Sequence, residues 1–331
     1  FGTEVLLAPR SDRVVNVVAR DVNDQMSTFS IDNIQFDHDH TWSNYVRGVI
    51  DVLQKVKGPV GGMDLLVSGN VPQGAGLSSS ASFEIALLKV INDAFDIGLT
   101  GVEAAIIGQR AENEFVGCSC GIMDQLISAL GRRSQAMLLD CQSLEFQYTP
   151  LSDDYQIVII DSKVKRGLVD SEYNLRRKQC ENSAKIMGLK SLRDGHMDLL
   201  ASSKSNLSEH EYLRARHVIT ENERTQKMFL ALQQQDYSKV SHLMRESHYS
   251  MRDDFHITVP AIDYLVEIIE EVLQENGGVR MTGGGFGGCV VALCPKNMVN
   301  DVMDTVNKKY NKRTGIREAI YLCSSEDGAF S

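Results

Sequence analysis

A chain of 331 residues, 43% hydrophobic and 24% charged, is long enough for about two domains of ~150 residues, and its composition excludes a disordered, fibrous or membrane-embedded protein. The net charge of -10, with Lys and Arg scattered, excludes a polyanionic nucleic acid as the expected partner, although backbone N–H groups can still hold a small anion. The seven cysteines lack framework-like spacing, and there is neither a leader-like start nor an apolar run of about 18 residues, so reduced thiols and a cytoplasmic location are expected.

Taken in chain order, Val5 to Ala8, Val14 to Val18 and Met63 to Val67 have the short alternating pattern of strands. A helical pattern follows from Ser80 to Phe95 and another from Val102 to Phe115, the latter opened by Thr100-x-x-Glu103, a capping box. Gly121 to Leu130, Glu172 to Met187, His210 to Gln233 and Ile257 to Glu275 continue the helices; Tyr155 to Ile160, Val290 to Leu293 and Ala319 to Leu322 continue the strands. Their uneven alternation predicts α/β or α+β layering, with a boundary near Asp161 to Arg166 that divides the chain into domains 1–161 and 162–331.

Two glycine-rich stretches stand out. Val71-Pro72-Gln73-Gly74-Ala75-Gly76-Leu77-Ser78-Ser79-Ser80-Ala81-Ser82 joins a strand pattern to a helix pattern, so it is a loop between elements rather than a solvated linker. Its glycines permit close backbone approach, and serines at a helix start suit an anion, although a tight turn with a Ser-capped helix would have the same composition. It is not a Walker A loop, which needs Gly-Lys-Ser/Thr, and Ser79 stands where a Rossmann loop needs its last glycine. The second stretch, Gly283-Gly284-Gly285-Phe286-Gly287-Gly288 before a strand, predicts either a hairpin turn or a backbone passing very close to something. His38-Asp39-His40 and Cys118-x-Cys120 lack the ligand spacing of a metal centre, and no structural zinc is expected.

The two loops, together with Ala111-Glu112-Asn113-x-Phe115-x-Gly117, Cys120-Gly121-Ile122-Met123-Asp124-Gln125, Ser171-Glu172-Tyr173-Asn174-x-Arg176-Arg177-x-Gln179-Cys180 and Ser250-Met251-Arg252-Asp253-Asp254-Phe255, occur in the order of one family. The sequence resembles the GHMP small-molecule kinases, and within them the galactokinases. The resemblance implies a two-domain α/β and α+β fold: an N-terminal ribosomal-protein-S5-like domain and a C-terminal ferredoxin-like domain, with the active site in the cleft between them. It implies transfer of the γ-phosphoryl group of ATP to the anomeric hydroxyl of galactose, in a cytoplasmic monomer.

By the same resemblance Gly74, Ala75, Gly76, Leu77, Ser78, Ser79 and Ser80 wrap the triphosphate, Ser80 and Glu112 complete a Mg2+ site, and Trp42 lies near the adenine. Asp124 is the base, Gly121 and Tyr173 contact the sugar, and Gly283, Gly284 and Gly285 reach toward the site. Read without the resemblance, Glu112 would be a solvated carboxylate, Asp124 a helix-dipole partner and Trp42 a core residue. The family's Pro-Gly-Arg-Val-Asn-Leu-x-Gly-Glu-His-x-Asp-Tyr segment is absent, so the sequence is expected to start downstream of it and, by itself, to be weak or inactive. Two alternatives stay open: a kinase for another sugar such as N-acetylgalactosamine, and a galactose and ATP sensor that contacts a transcriptional regulator.

Overall fold

The computed structural model describes residues 1–118, 120–164 and 169–331. The chain forms two compact units, residues 1–148 with 325–331, and residues 149–324. This division falls earlier than 161/162 and assigns residues 325–331 to the first unit; residues 165–166 of the expected boundary segment lie outside the described residues.

The first unit contains β1 (Thr3–Arg10), β2 (Val14–Ala19), β3 (Gln25–Ser30), α1 (Asn44–Lys57), β4 (Gly62–Gly69), α2 (Ser79–Phe95), α3 (Gly101–Arg110), α4 (Met123–Leu130) and β5 (Gln135–Leu139), with β6 (Phe146–Pro150) running into the boundary. Four strands form a sheet in the order β1-β4-β2-β3, with β2 and β4 parallel and the other neighbours antiparallel; β5 and β6 make a separate ribbon. Alternation decides which face is buried: Val15, Val17 and Ala19 of β2 point inward with Met63, Leu65 and Val67 of β4. Against them pack Val46, Val49, Ile50 and Leu53 of α1 and Ile85, Leu88 and Ile91 of α2, the three- and four-residue spacings of helix faces. Thr100 caps α3 with the expected box: its hydroxyl accepts from the Glu103 N–H and the Glu103 carboxylate accepts from the Thr100 N–H.

The second unit contains β7 (Tyr155–Asp161), α5 (Val169–Ile186), α6 (Met197–Ser203), α7 (Glu209–Gln233), α8 (Tyr237–Ser250), α9 (Pro260–Leu273), β8 (Gly278–Thr282), β9 (Cys289–Pro295), α10 (Val299–Thr314) and β10 (Ala319–Cys323). Its sheet is antiparallel in the order β10-β7-β9-β8. Val158, Ile160, Val290 and Ala292 of that sheet pack with Ile262, Leu265, Val266 and Ile269 of α9 and Val302, Val306 and Tyr310 of α10. A smaller apolar cluster, including Ala184, Leu200, Ala215 and Ile219, joins α5, α6 and α7. Each unit mixes strands and helices, as expected.

Two helices end in a wider turn. Residues Ala111–Val116 after α3 and Met251–Phe255 after α8 are π-helical, a geometry that inserts one residue into the helical repeat and re-aims the side chains beyond it. Both coincide with motifs singled out in the sequence. Among the described residues, no helix is long and apolar enough to cross a membrane.

Candidate functional site

Residues 71–78 join β4 to α2 without regular structure, which makes the first glycine-rich stretch a loop running into a helix start. Ser78 sits at the N-cap of α2 in the left-handed region, φ 61° and ψ 38°, and its side chain makes no cap hydrogen bond. The alternative reading of a Ser-capped helix is therefore not realised at Ser78. A non-glycine residue in this conformation costs about 1 kcal/mol or more, and the cap that could offset it is missing. A helix start left without its side-chain cap has backbone N–H groups to offer an anion. Gly74 also has positive φ, 71°, and a Cβ there would meet nothing within 4 Å, so glycine at this position serves the backbone conformation rather than tight packing.

Glu112 lies in the π-helical segment after α3 and is only 6% exposed. The solvated alternative is thus overturned. Its Oε2 accepts from Gln125 Nε2 at 3.0 Å and from the Cys120 thiol at 3.3 Å. Both donors are neutral, and a buried carboxylate without a cationic partner is costly. The Cys120 thiol is pushed well up, first by burial and then by Glu112, so it remains a donor. Tyr45, also raised by burial and by the Glu112 and Glu84 charges, shares these surroundings.

Asn113 connects the two motifs of this unit. Its side chain accepts from the Cys120 N–H at 2.8 Å and donates to the Cys120 carbonyl at 3.3 Å, while Gln109 donates to the same carbonyl at 3.2 Å. The backbone that leads through Gly121 into α4 is thereby fixed on the end of α3. Asp124 is half-buried in the first turn of α4, where the helix dipole favours a carboxylate. Gly121 is exposed and open on its Cβ side. The next residue, Gln125, is buried and reaches back to Glu112, so α4 carries both the exposed end and the buried end of one arrangement.

Sequence reasoning missed Glu84. It is fully buried on α2, one helical turn past Ser80, and its Oε2 accepts from the same Gln125 Nε2 at 3.1 Å. Its pKa is pushed up to about 9, first by burial and then by the Glu112 charge, so at neutral pH it is a neutral acid. The signal was present: Ala81, Glu84, Ile85 and Leu88 are spaced as a core stripe with a carboxylate in it. Trp42 packs partly against the core of the first unit and donates its indole N–H to Gln25 Oε1 at 3.0 Å.

In the second unit Tyr173 is exposed on α5, three residues before the buried Arg176. Arg176 donates to the carbonyls of Phe255 and His256 at 2.8 and 3.0 Å, and its guanidinium lies 5.7 Å from the ring centroid of Phe286. Arg214 of α7 adds donors to the Asp254 carbonyl and Gln179, and its pKa is lowered to about 10, by burial first and Arg176 second. These two arginines satisfy the carbonyls left open where the second π-helical segment ends.

The second glycine-rich stretch is the connection of the β8–β9 hairpin, whose last pair is Thr282 with Cys289. The Phe286 N–H donates to the Ile257 carbonyl at 2.7 Å, and at Gly285, φ 84°, a Cβ would come within 2.5 Å of that carbonyl oxygen. The hairpin expectation and the close-approach expectation are both met here, and what the backbone approaches at Gly285 is the protein's own chain.

Residues 44–132 match the GHMP kinases N terminal domain and residues 228–312 the GHMP kinases C terminal. A crystal structure of Lactococcus lactis galactokinase complexed with galactose is similar at 31% identity and a TM-score of 0.93, covering 99% of this chain and 86% of that one. A homoserine kinase from Cytophaga hutchinsonii (14% identity, TM-score 0.65, 99% and 88% covered) and the Methanococcus jannaschii mevalonate kinase (15%, 0.59, 98% and 88%) share the fold. With both parts of the family pattern matched and a relative above 30% identity spanning nearly all of it, the chain belongs to the GHMP kinases and is a sugar kinase.

Proposed function

We propose that the protein is a galactokinase, transferring the γ-phosphoryl group of ATP to the anomeric hydroxyl of galactose. The observation that carries this reading is the 31% identity over 99% of the chain to a galactokinase crystallised with galactose. In the transfer, the anomeric oxygen bonds to the γ-phosphorus as the bond from that phosphorus to the β-bridging oxygen breaks. Galactose 1-phosphate and ADP form. The hydroxyl proton passes to Asp124, a half-buried carboxylate at a helix start.

The uncapped start of α2 and the loop Gly74 to Ser80 hold the phosphates through backbone N–H groups. Tyr173 offers an exposed phenol and Gly121 an open backbone for sugar hydroxyls. Glu112 and Ser80 fit a Mg2+: they supply oxygen donors, and among the described residues the buried Glu112 carboxylate accepts from neutral donors. When bound, that ion neutralises phosphate charge.

The test is a panel of sugars given to the purified protein with ATP and Mg2+, with ADP release and sugar phosphate identified by NMR. Galactose is expected to be phosphorylated at the anomeric position with the highest kcat/KM. Preference for N-acetylgalactosamine or another sugar would overturn the substrate. Binding of sugar and ATP without turnover would favour the sensor.

A further inference from the structure

The Glu84 carboxyl is a fully buried polar group that shares Gln125 with Glu112, and none of the chemistry above uses it. It lies on α2, is 0% exposed, and one of its oxygens, Oε1, has no hydrogen-bond partner among the described residues. The other oxygen receives one N–H of Gln125, whose second N–H goes to Glu112. Gln125 is 1% exposed, and its own Oε1 is also without a partner among the described residues. Room for this arrangement comes from Gly108 of α3, where a Cβ would sit 3.3 Å from both Gln125 Cγ and Glu84 Oε2.

We infer that Glu84 is a positioning residue: by accepting one Gln125 N–H it fixes which end of that amide faces Glu112, and so holds the Glu112 carboxylate in place. A primary amide has two nearly isosteric ends. Turned one way, Gln125 donates to Glu112; turned the other, its carbonyl oxygen meets a carboxylate oxygen and repels it. The Cys120 thiol, a weak donor, cannot enforce the choice by itself. With Glu84 a neutral acid, its Oε2 accepts as a carbonyl oxygen and the Glu112 carboxylate has no hydrogen to offer a flipped amide, so the amide nitrogen facing both is the favoured orientation. Gln125 follows Asp124 directly in α4, so the link also ties the start of α4 to the helix that begins with Ser79 and Ser80. Partners behind a metal-holding carboxylate commonly change metal affinity by about 10–100-fold when removed.

This inference rests on the proposed role of Glu112, and the experiment separates the two. Mn2+ is used as the probe, and its binding in the presence of ADP is read by electron paramagnetic resonance for wild type, Glu112→Ala, Glu84→Met, Glu84→Gln and Gln125→Met. Glu84→Met is expected to weaken Mn2+ binding by about 10–100-fold, to keep the melting temperature within about 4 °C of wild type, and to leave the KM for sugar unmoved. Glu84→Gln retains an acceptor oxygen and restores most of the loss. Gln125→Met reproduces the loss, and the Glu84→Met/Gln125→Met pair is no worse than either alone, because both break one link.

Unchanged Mn2+ affinity in Glu84→Met alongside a weakened Glu112→Ala overturns the inference and spares the Glu112 assignment. Unchanged affinity in Glu112→Ala overturns both. A uniform loss, in which melting temperature, sugar KM and Mn2+ affinity all deteriorate together and Glu84→Gln does not recover them, assigns Glu84 to core packing and also overturns it. Should Glu84→Met not fold, Gln125→Met and Glu84→Gln decide by the same criteria.

Discussion

Asp124 and Glu84 are two carboxylic acids one helix apart, and their surroundings give them opposite tasks. Asp124 is half-buried at a helix start and unclaimed by another described side chain, so under the proposed function replacing it removes the base and little packing. Asp124→Asn is expected to lower kcat by about 10²–10⁴ while the melting temperature stays near that of wild type; steady-state kinetics beside a thermal scan checks both. Glu84, by contrast, pays for its burial. With a folded pKa near 9 against an ordinary 4.5, the folded protein keeps a proton that the unfolded chain releases. The stability this gives is fully present below about pH 4.5 and falls by up to about 1.4 kcal/mol per pH unit until about pH 9. Glu84→Gln, which cannot ionise, should flatten the fall, measured as urea midpoints from about pH 5 to 8. The sequence showed Asp124 and Glu112 only through the motifs around them. Glu84 was not singled out although it lies in the core stripe of α2; that it closes against Gly108 of α3 and Gln125 of α4 is a tertiary fact that the stripe alone does not carry.

Elements with strong periodicity were legible to within a few residues. α2 and α7 begin one residue earlier than their patterns, and the Thr100 capping box is as read. α1, α6, α8 and α10 were missed; α8 is rich in Ser and His, and α10 exposes Asn, Asp and Lys over most of its surface. The pattern from Val102 to Phe115 is one helix by spacing, but in the structure it is α helix to Arg110 and π helix beyond. Spacing cannot distinguish these, since one inserted residue hardly disturbs a periodic pattern over six positions. At this scale the second glycine loop makes a firm prediction. Gly285→Ala places a methyl against the Ile257 carbonyl at a backbone conformation hostile to L residues, and is expected to cost about 3 kcal/mol, read as a lowered urea midpoint with unchanged m value. Gly74→Ala meets open space and should cost only about 1 kcal/mol of backbone strain. Thr100→Ala, which removes half of a capping box, should cost about 1 kcal/mol by the same measurement.

Across the whole molecule the two units respond to acid in opposite senses. In the second unit His217 is buried against Phe255, 4.5 Å between ring centroids, with Nδ1 on Ser250 Oγ at 2.9 Å. Its pKa is lowered to about 4, by burial first, so the unfolded chain takes up a proton that the folded unit refuses. That contribution is present above about pH 6.5 and is lost as pH falls toward 4. His256, also lowered by burial first, acts in the same direction. Between about pH 6.5 and 5 the second unit should therefore lose hydrogen-exchange protection while the first, through Glu84, gains it. His217→Asn should remove most of the loss in the second unit. The distribution of charge along the chain suggested none of this, because both effects come from neutral, buried forms of titratable groups.

The way residues 325–331 rejoin the first unit has a consequence for how the protein is made. Gly328 donates to the Gly131 carbonyl, Phe330 donates to Ala129, and a Cβ at Gly101 would meet Phe330 at 3.0 Å. These residues close over the end of the helix that carries Asp124, yet the ribosome adds them after every residue of the second unit. The first unit must wait, unfinished, for a strip synthesised after the second unit, and the helix that carries Asp124 takes its final packing only after translation has passed through the whole of that unit.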